Sequence, residues 1–272
     1  MGVRINTNIF SLTAQRHLSR VTERLRGNFS RLASGLRITS AADDPAGLGI
    51  SERMRAKIRS YGAAARNTQD GISLVQTAEA ALGETGDGLA RMRELAIQAS
   101  NGTLNTNDRA TINSEFTAII AEINRVADQT EFNGIKLLNG DTAAISVQVG
   151  TDMGQTVSIT NNDSDATALG VNSLLTTTLT NAQNSLATID DAIDLVAASR
   201  GSLGATTNIL RSRYRSILSA SENLAAAESR IRDVDIAKET AELTRNSILQ
   251  QAAVAILSQA NSQPQLALSL IG

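Results

Sequence analysis

The chain has 272 residues and a formal net charge of −2, with no Cys, no Trp, one His, two Pro and 2% aromatic side chains. Without cysteine there is no disulfide framework, thiolate nucleophile or Cys-ligated zinc site, and the single histidine, His17, cannot build a multi-His metal centre. At the usual ~5% the chain would carry roughly 14 prolines, so the empty stretch between Pro45 and Pro264 reads as a host for long uninterrupted helices.

Alanine supplies 40 residues and Phe plus Tyr only six, so the core must be made by small and aliphatic side chains at close approach, as in helix-on-helix packing. Residues 1–66 hold 12 Lys+Arg against 4 Asp+Glu, and residues 67–272 hold 13 against 23. A basic leading segment suits an acidic partner, an anionic membrane surface or nucleic acid. It lacks the aromatic interleaving and Gly-rich signature of a nucleic-acid binder, so no nucleic-acid partner is expected. No apolar run approaches the ~20 residues that span a bilayer, so no membrane insertion is expected. The first 30 residues have no apolar stretch with a small-residue cleavage site, which argues against a cleaved signal peptide.

In chain order, residues 5–33 carry a narrow stripe of Ile5, Ile9, Leu12, Leu18, Val21, Leu25, Asn28 and Leu32 on an Arg-, Ser- and Thr-rich helix. Asp44-Pro45 then offers a cap and a first helical position. Met54, Tyr61, Thr68, Val75, Leu82, Leu89 and Ala96 repeat every seven residues, and Asn101-Gly102 offers a left-handed stop. A third helix, with Ile112, Phe116, Ile119, Ile123 and Val126, is expected to start after Asn107 and end before an Asn133-Gly134 turn.

Ile145 to Val149 and Thr156 to Thr160 alternate apolar and polar around a Gly150 to Gly154 turn, which predicts a β-hairpin. Strand content is expected only near 140–170, with Asn161–Asp165 as exposed loop. A helix from about 174 to 232 follows from the series Ile189, Val196, Leu203, Leu210, Ile217, Leu224 and Ile231. Residues 234–260 show a wider apolar face of Ile248, Leu249, Ala252, Ala253, Ile256, Leu257 and Ala260, with Leu268 and Leu270 beyond it. Neither terminal stripe can bury itself, because isolated amphipathic helices are marginal in water. The ends are expected to pair with each other or with neighbouring copies.

The fold class is therefore mainly α: a long antiparallel helical bundle or coiled coil, a small β-hairpin region near 140–170, and discontinuous terminal helices pairing N- with C-terminus. Three regions are expected. They are 1–40 plus 233–272 as a terminal assembly domain, 41–140 plus 171–232 as a long-helix bundle, and 141–170 as the hairpin. Asp43 and Asp44 stand without a nearby His or pocket-forming pattern and read as capping residues, not as acid/base catalysts. There is no HExxH, Ser-His-Asp set or phosphate loop, so no catalytic residue, metal site or cofactor is expected.

Many separated motifs resemble bacterial flagellin in the right order: Ile5 to Asn8, Leu32 to Ile38, Ala41 to Gly47, Ala63 to Asp70, Met92 to Ala96, Glu131 to Gly134, Ala227 to Asp235, and Gln250 to Asn261. The resemblance implies a subunit of the extracellular flagellar filament, a homopolymer whose paired terminal helices line the interior. It implies export by the flagellar type III apparatus, an export chaperone, a cap protein and junction proteins as partners, and a nearly empty variable region at 140–175. It also implies that Leu89, Arg91, Met92, Glu94, Leu95 and Gln98, with Glu115, resemble the surface that animal Toll-like receptors bind and that contacts neighbouring protofilaments. Spacing alone reads the same residues as a solvated face. The alternative reading within the flagellum is a hook-filament junction protein; a peptidase-bearing flagellin would need an insertion this chain lacks.

Overall fold

The computed structural model describes residues 7–269, with side chains to residue 263. Among these residues five α-helices run as α1 (Ile9–Ser34), α2 (Pro45–Ala99), α3 (Thr106–Gln129), α4 (Leu179–Arg232) and α5 (Ile236–Ser269). Four short strands lie between α3 and α4: β1 (Glu131–Phe132), β2 (Ile135–Lys136), β3 (Ala144–Gln148) and β4 (Thr156–Thr160). The chain forms two compact units, one of residues 1–56 with 223–272 and one of residues 57–222.

The helix boundaries follow local chemistry. Asn8 caps α1 by accepting the Ser11 N–H at 3.0 Å, and Gly35 closes it in the left-handed region at φ 72°, its N–H reaching the Arg31 carbonyl. Asp44 accepts the Gly47 N–H at 2.9 Å, so Asp44-Pro45 opens α2 as the sequence predicts. The α3 start moves forward: Asn105 and Asp108 form a reciprocal capping box, which fixes Thr106 as the first helical residue.

Gly102 does not end α2 in a left-handed turn. Arg109 of α3 does that work instead, donating to the carbonyl of Ala99, the last residue of α2, and to those of Asn101 and Leu104 in the loop that follows, at 2.8–3.0 Å. The fourth helix begins at Leu179, later than expected, because Thr178 takes the cap role and accepts the Asn181 N–H.

In the unit of residues 57–222, α2 runs antiparallel to both α3 and α4, which are therefore parallel to each other. The contacts fix the direction: Arg91 meets Glu115 and Arg109 reaches Ala99, while Arg93 meets Asp190 and Gly71 lies beside Leu210. The heptad series supplies the core, with Val75, Leu82, Leu89 and Ala96 of α2 fully buried against Phe116 and Ile123 of α3 and Ile189, Val196, Leu203 and Leu210 of α4. On α3 the buried line is Ile112, Phe116, Ile120, Ile123 and Ala127; Ile119 and Val126 flank it half-buried.

Two threonines inside this core are satisfied by their own helix, while buried Thr207 of α4 has a hydroxyl with no partner among the described residues. Buried Thr68 and Thr85 donate to the carbonyls four residues back, at 2.7 and 3.2 Å. Strands β3 and β4 pair antiparallel as the predicted hairpin, with Ile145 opposite Ile159 and Val147 opposite Val157. Gly71 lets this hairpin close on α2, since a Cβ there would stand 3.2 Å from the Val147 side chain.

Two expectations need correction. Strand content is not confined to 140–170, because Asn133 and Gly134 both take positive φ and close the two-residue β1–β2 hairpin turn. The segment after β4 is not simply an exposed loop. Asn162 and Asp163 are exposed, but Ser164, Ala166, Leu169, Val171 and Thr176 are buried. Asn124 and Asn113 of α3 hold it there by accepting the N–H groups of Ala166 and Thr176 at 2.9 and 2.8 Å.

Candidate assembly surfaces

In the unit of residues 1–56 and 223–272, α1 and α5 pair antiparallel. Asn8 donates to the Ala260 carbonyl at 2.7 Å and Ser11 to Asn261 at one end, and Arg31 meets Glu239 at 2.7 Å at the other. Ala14, Leu25 and Asn28 of α1 are buried, with Leu18, Val21 and Leu32 half-buried beside them. The facing line on α5 is Glu239, Asn246, Ala253 and Ala260, one residue every seven, with Leu243 and Leu257 alongside.

One layer of this seam is polar. The Asn28 amide donates to Glu239 Oε1 at 2.6 Å, the Asn246 amide donates to Asn28 Oδ1 at 2.8 Å, and Arg31 Nε donates to the same Glu239 oxygen. Asn28 is 1% exposed and Glu239 and Asn246 are 8% exposed, so each depends on the others for its hydrogen bonds. Beyond the hairpin, Val234 N–H reaches the Gly35 carbonyl, Arg37 N–H reaches the Arg232 carbonyl, and Arg232 pairs with Glu52 at 2.7 Å. That partner holds the Glu52 carboxyl below its ordinary range.

The expected terminal stripe divides in two. Leu25 is buried, and Leu18, Val21, Leu32 and Leu257 are half-buried in the pairing seam. Ile9, Leu12, Ile248, Leu249, Ala252 and Ile256 instead face outward, the larger ones 42–61% exposed. Ile248, Leu249, Ala252 and Ile256 fall on one face of α5 by the helical period, adjacent to the seam. Phe10, Phe29, Ile236 and Val254 are exposed as well and were not in the expected set, since they stand off the main stripe. Ile5 and Leu270 lie outside the described residues, and Leu268 is described for its backbone alone.

In the unit of residues 57–222, the second expected patch also separates into layers. Leu89 and Met92 are 0% exposed and Leu95 1%, so these three support the patch from the core and present no surface to a partner. Arg91, Glu94, Gln98 and Glu115 are exposed. Arg91 bridges Glu94 at 2.9 Å and Glu115 at 2.7 Å, tying α2 to α3, and Arg93 ties α2 to α4 through Asp190 at 2.6 Å. The carboxylates, Glu115 foremost, raise the Arg91 pKa, and Arg93 lowers that of Asp190. Among the described residues no group of three or more acidic, His or Cys side chains is placed to hold a metal ion. Among the described residues no helix is long and apolar enough to cross a membrane.

Comparison with known proteins adds an independent line. The family described as bacterial flagellin N-terminal helical region matches residues 5–143, and bacterial flagellin C-terminal helical region matches residues 186–271. Flagellin of Halalkalibacterium halodurans is 46% identical over 271 residues, covering 98% of this chain and 99% of that protein. The flagellar filament 33 kDa core protein of Treponema phagedenis is 40% identical over 283 residues, covering 98% and 99%. The crystal structure of Bacillus cereus flagellin superposes with a TM-score of 0.52 at 32% identity, covering 60% of this chain and 94% of that one. With both helical regions matched and relatives aligned end to end, the chain belongs to the bacterial flagellin family.

Proposed function

We infer that this flagellin is the structural subunit of an extracellular flagellar filament, a homopolymer in which the α1–α5 hairpin is the assembling part. The observation that carries this is the apolar surface left over after α1 and α5 have paired. Ile9, Phe10, Leu12, Ile248, Leu249 and Ile256 stay between 42% and 64% exposed although the seam beside them is closed. Apolar side chains grouped in this way gain on the order of 1.5–3 kcal/mol each when fully covered, and identical copies offer identical faces to cover them. Residues 1–40 with 233–272 form the assembling region under this reading, residues 41–140 with 171–232 the supporting bundle, and residues 141–170 the hairpin. Relatives named as flagellins and filament core proteins favour this over a hook-filament junction protein.

The same reading carries finer proposals. The chain leaves the cell through the flagellar type III apparatus, attended by an export chaperone, and adds beneath a cap protein on a filament seated on junction proteins. Arg91, Glu94, Gln98 and Glu115 form a contact patch for a neighbouring protofilament or, on free subunits, an animal Toll-like receptor. The Arg91 ion pairs support this by holding the patch in one conformation. Electron microscopy of the purified full chain in a salting-out buffer tests the function. Long regular filaments are expected; closed short rings would favour the junction protein. A chain of residues 41–232 is expected to stay helical and never elongate seeds, and filaments from it would overturn the role of the ends.

A further inference from the structure

The sequence holds three Asn-Gly pairs, Asn101-Gly102, Asn133-Gly134 and Asn139-Gly140. In such a pair the glycine backbone nitrogen can attack the asparagine side chain, because no Cβ on the glycine stands in the way. The structure treats the three pairs differently.

Asn101 and Gly102 are exposed in the loop that joins α2 to α3. Asn101 Oδ1 accepts the Thr103 N–H at 3.1 Å, and the ring closed by this bond contains both the side-chain carbonyl carbon and the Gly102 nitrogen. Electrophile and nucleophile are thus held on one side of the loop. The backbone carbonyl of Asn101 accepts Arg109 Nη2 at 2.8 Å and the Leu104 N–H at 3.3 Å. Arg109 is half-buried and has no carboxylate within ion-pair distance among the described residues, so its charge acts undiluted on that peptide group. Loss of the Gly102 amide proton puts negative charge on this same oxygen, where the guanidinium stabilises it. The Gly102 N–H has no hydrogen-bond partner among the described residues, and no atom stands within 4 Å of where a Cβ would be.

The other two pairs lack this arrangement. Asn133 and Gly134 hold φ of 51° and 79° as the turn of the β1–β2 hairpin, so ring closure there competes with the turn. Asn139 Oδ1 does accept the Asp141 N–H at 3.2 Å, but its amide donates to the Asp141 carboxylate, and Asp163 Oδ2 would stand 2.8 Å from a Cβ on Gly140. Negative charge from both sides opposes loss of the Gly140 proton.

We propose that Asn101-Gly102 is a self-modifying site, where the fold promotes conversion of Asn101 to isoaspartate and aspartate through a succinimide. Hydroxide takes the Gly102 proton, and the nitrogen attacks Asn101 Cγ to form the N–Cγ bond, with the oxyanion on Oδ1 facing the Thr103 N–H. The Cγ–Nδ2 bond breaks, and Nδ2 takes a proton from water and leaves as ammonia. A water molecule then opens the ring at either carbonyl, giving isoaspartate or aspartate. Water is consumed, ammonia is released and nothing is oxidised. The product carries a new carboxylate in the loop that Arg109 organises, and the isoaspartate form lengthens that loop's backbone by one carbon.

The test follows all three pairs in the full chain at mildly alkaline pH, native and in guanidinium chloride, by peptide mass spectrometry with isoaspartate detection. Asn101 is expected to convert at least as fast in the native chain as in the denatured one, while Asn133 and Asn139 slow about tenfold or more on folding. Arg109→Gln is expected to slow Asn101 by roughly tenfold in the native chain and not at all in the denatured chain, with Arg109→Lys recovering part of the rate. An arginine that merely clamps the loop would give the opposite sign, since a loosened loop converts faster. Should Arg109→Gln lose helicity by circular dichroism, the native-to-denatured comparison of the wild-type sites decides. Equal slowing of all three sites by folding, an Arg109→Gln rate unchanged or raised in a folded chain, or aspartate at position 101 without isoaspartate would overturn the proposal.

Discussion

Replacing Asn28 with alanine removes both hydrogen bonds of the central side chain in the α1–α5 seam. Glu239 loses its 2.6 Å amide donor and the Asn246 amide loses its 2.8 Å acceptor. A hydrogen bond to a charged acceptor contributes about 1.5–3 kcal/mol, and an orphaned buried amide costs about 1–3 kcal/mol. Arg31 still donates to Glu239 at 2.7 Å from a side chain that is 26% exposed, which gives water a path to the gap. The low part of the summed range then applies, about 2.5–3 kcal/mol, or roughly a 70- to 150-fold rise in the opening constant of the hairpin. Hydrogen exchange of α1 and α5 amides reads this directly, with the amides of residues 57–222 as an internal control. Asn28→Asp should do more harm than alanine, because it sets a second carboxylate against Glu239. If α1 protection falls by less than about 0.5 kcal/mol, the usual spread for neutral surface changes, the polar layer does not hold the hairpin.

Two further outcomes follow, the first from the unit of residues 57–222 and the second from carboxylates of both units. Phe116, 0% exposed between α2 and α4, should cost about 3–5 kcal/mol on replacement by alanine, read as a lower denaturant midpoint of that unit; an unchanged midpoint would deny Phe116 its place in the core. For pH, Asp43, Asp190, Glu52 and Glu122 all have folded pKa values lowered from 3.8 or 4.5, Asp43 chiefly by the Ser40 backbone N–H and the others by arginine partners. Depressed carboxylates stabilise the fold above their unfolded pKa and lose that contribution as pH falls through the folded values. Melting temperature should therefore hold down to pH near 4.5 and then decline, and a melt at pH 3 equal to that at pH 5 would refute the assignment.

The long helices were legible because their apolar positions keep one period over many turns. Ile189, Val196, Leu203, Leu210 and Ile217 are all buried where the heptad puts them. The β3–β4 hairpin was legible for the same reason at period two. What the pattern could not convey was choice among partners. Residues 246–260 of α5 carry more apolar side chains than one seam needs, and the helix turns Asn246, Ala253, Leu257 and Ala260 toward α1 while Ile248, Leu249 and Ile256 look outward. Small side chains win the seam because they allow close approach. Glu239 and Asn246 escaped notice for the opposite reason: a search for apolar periodicity passes over polar residues, and only their mutual hydrogen bonds with Asn28 make them interior. Burial after β4 was likewise hidden, since Asn113 and Asn124 supply the side-chain acceptors that let loop backbone leave water.

The polar layer also has a bearing on the order of events in folding. Asn28 finds its partners 211 and 218 residues further along the chain, so a ribosome has added all of those residues before either partner exists. Until then α1 has its Arg-rich surface and a half-apolar stripe but nothing to lie on, and closing so long a loop costs less entropy once the intervening residues have condensed. The seam is therefore a late, length-gated contact: a chain cut short before residue 246 lacks the second amide and leaves Asn28 without its donor. Synthesis through residue 246 is thus registered by the same three side chains that tie α1 to α5.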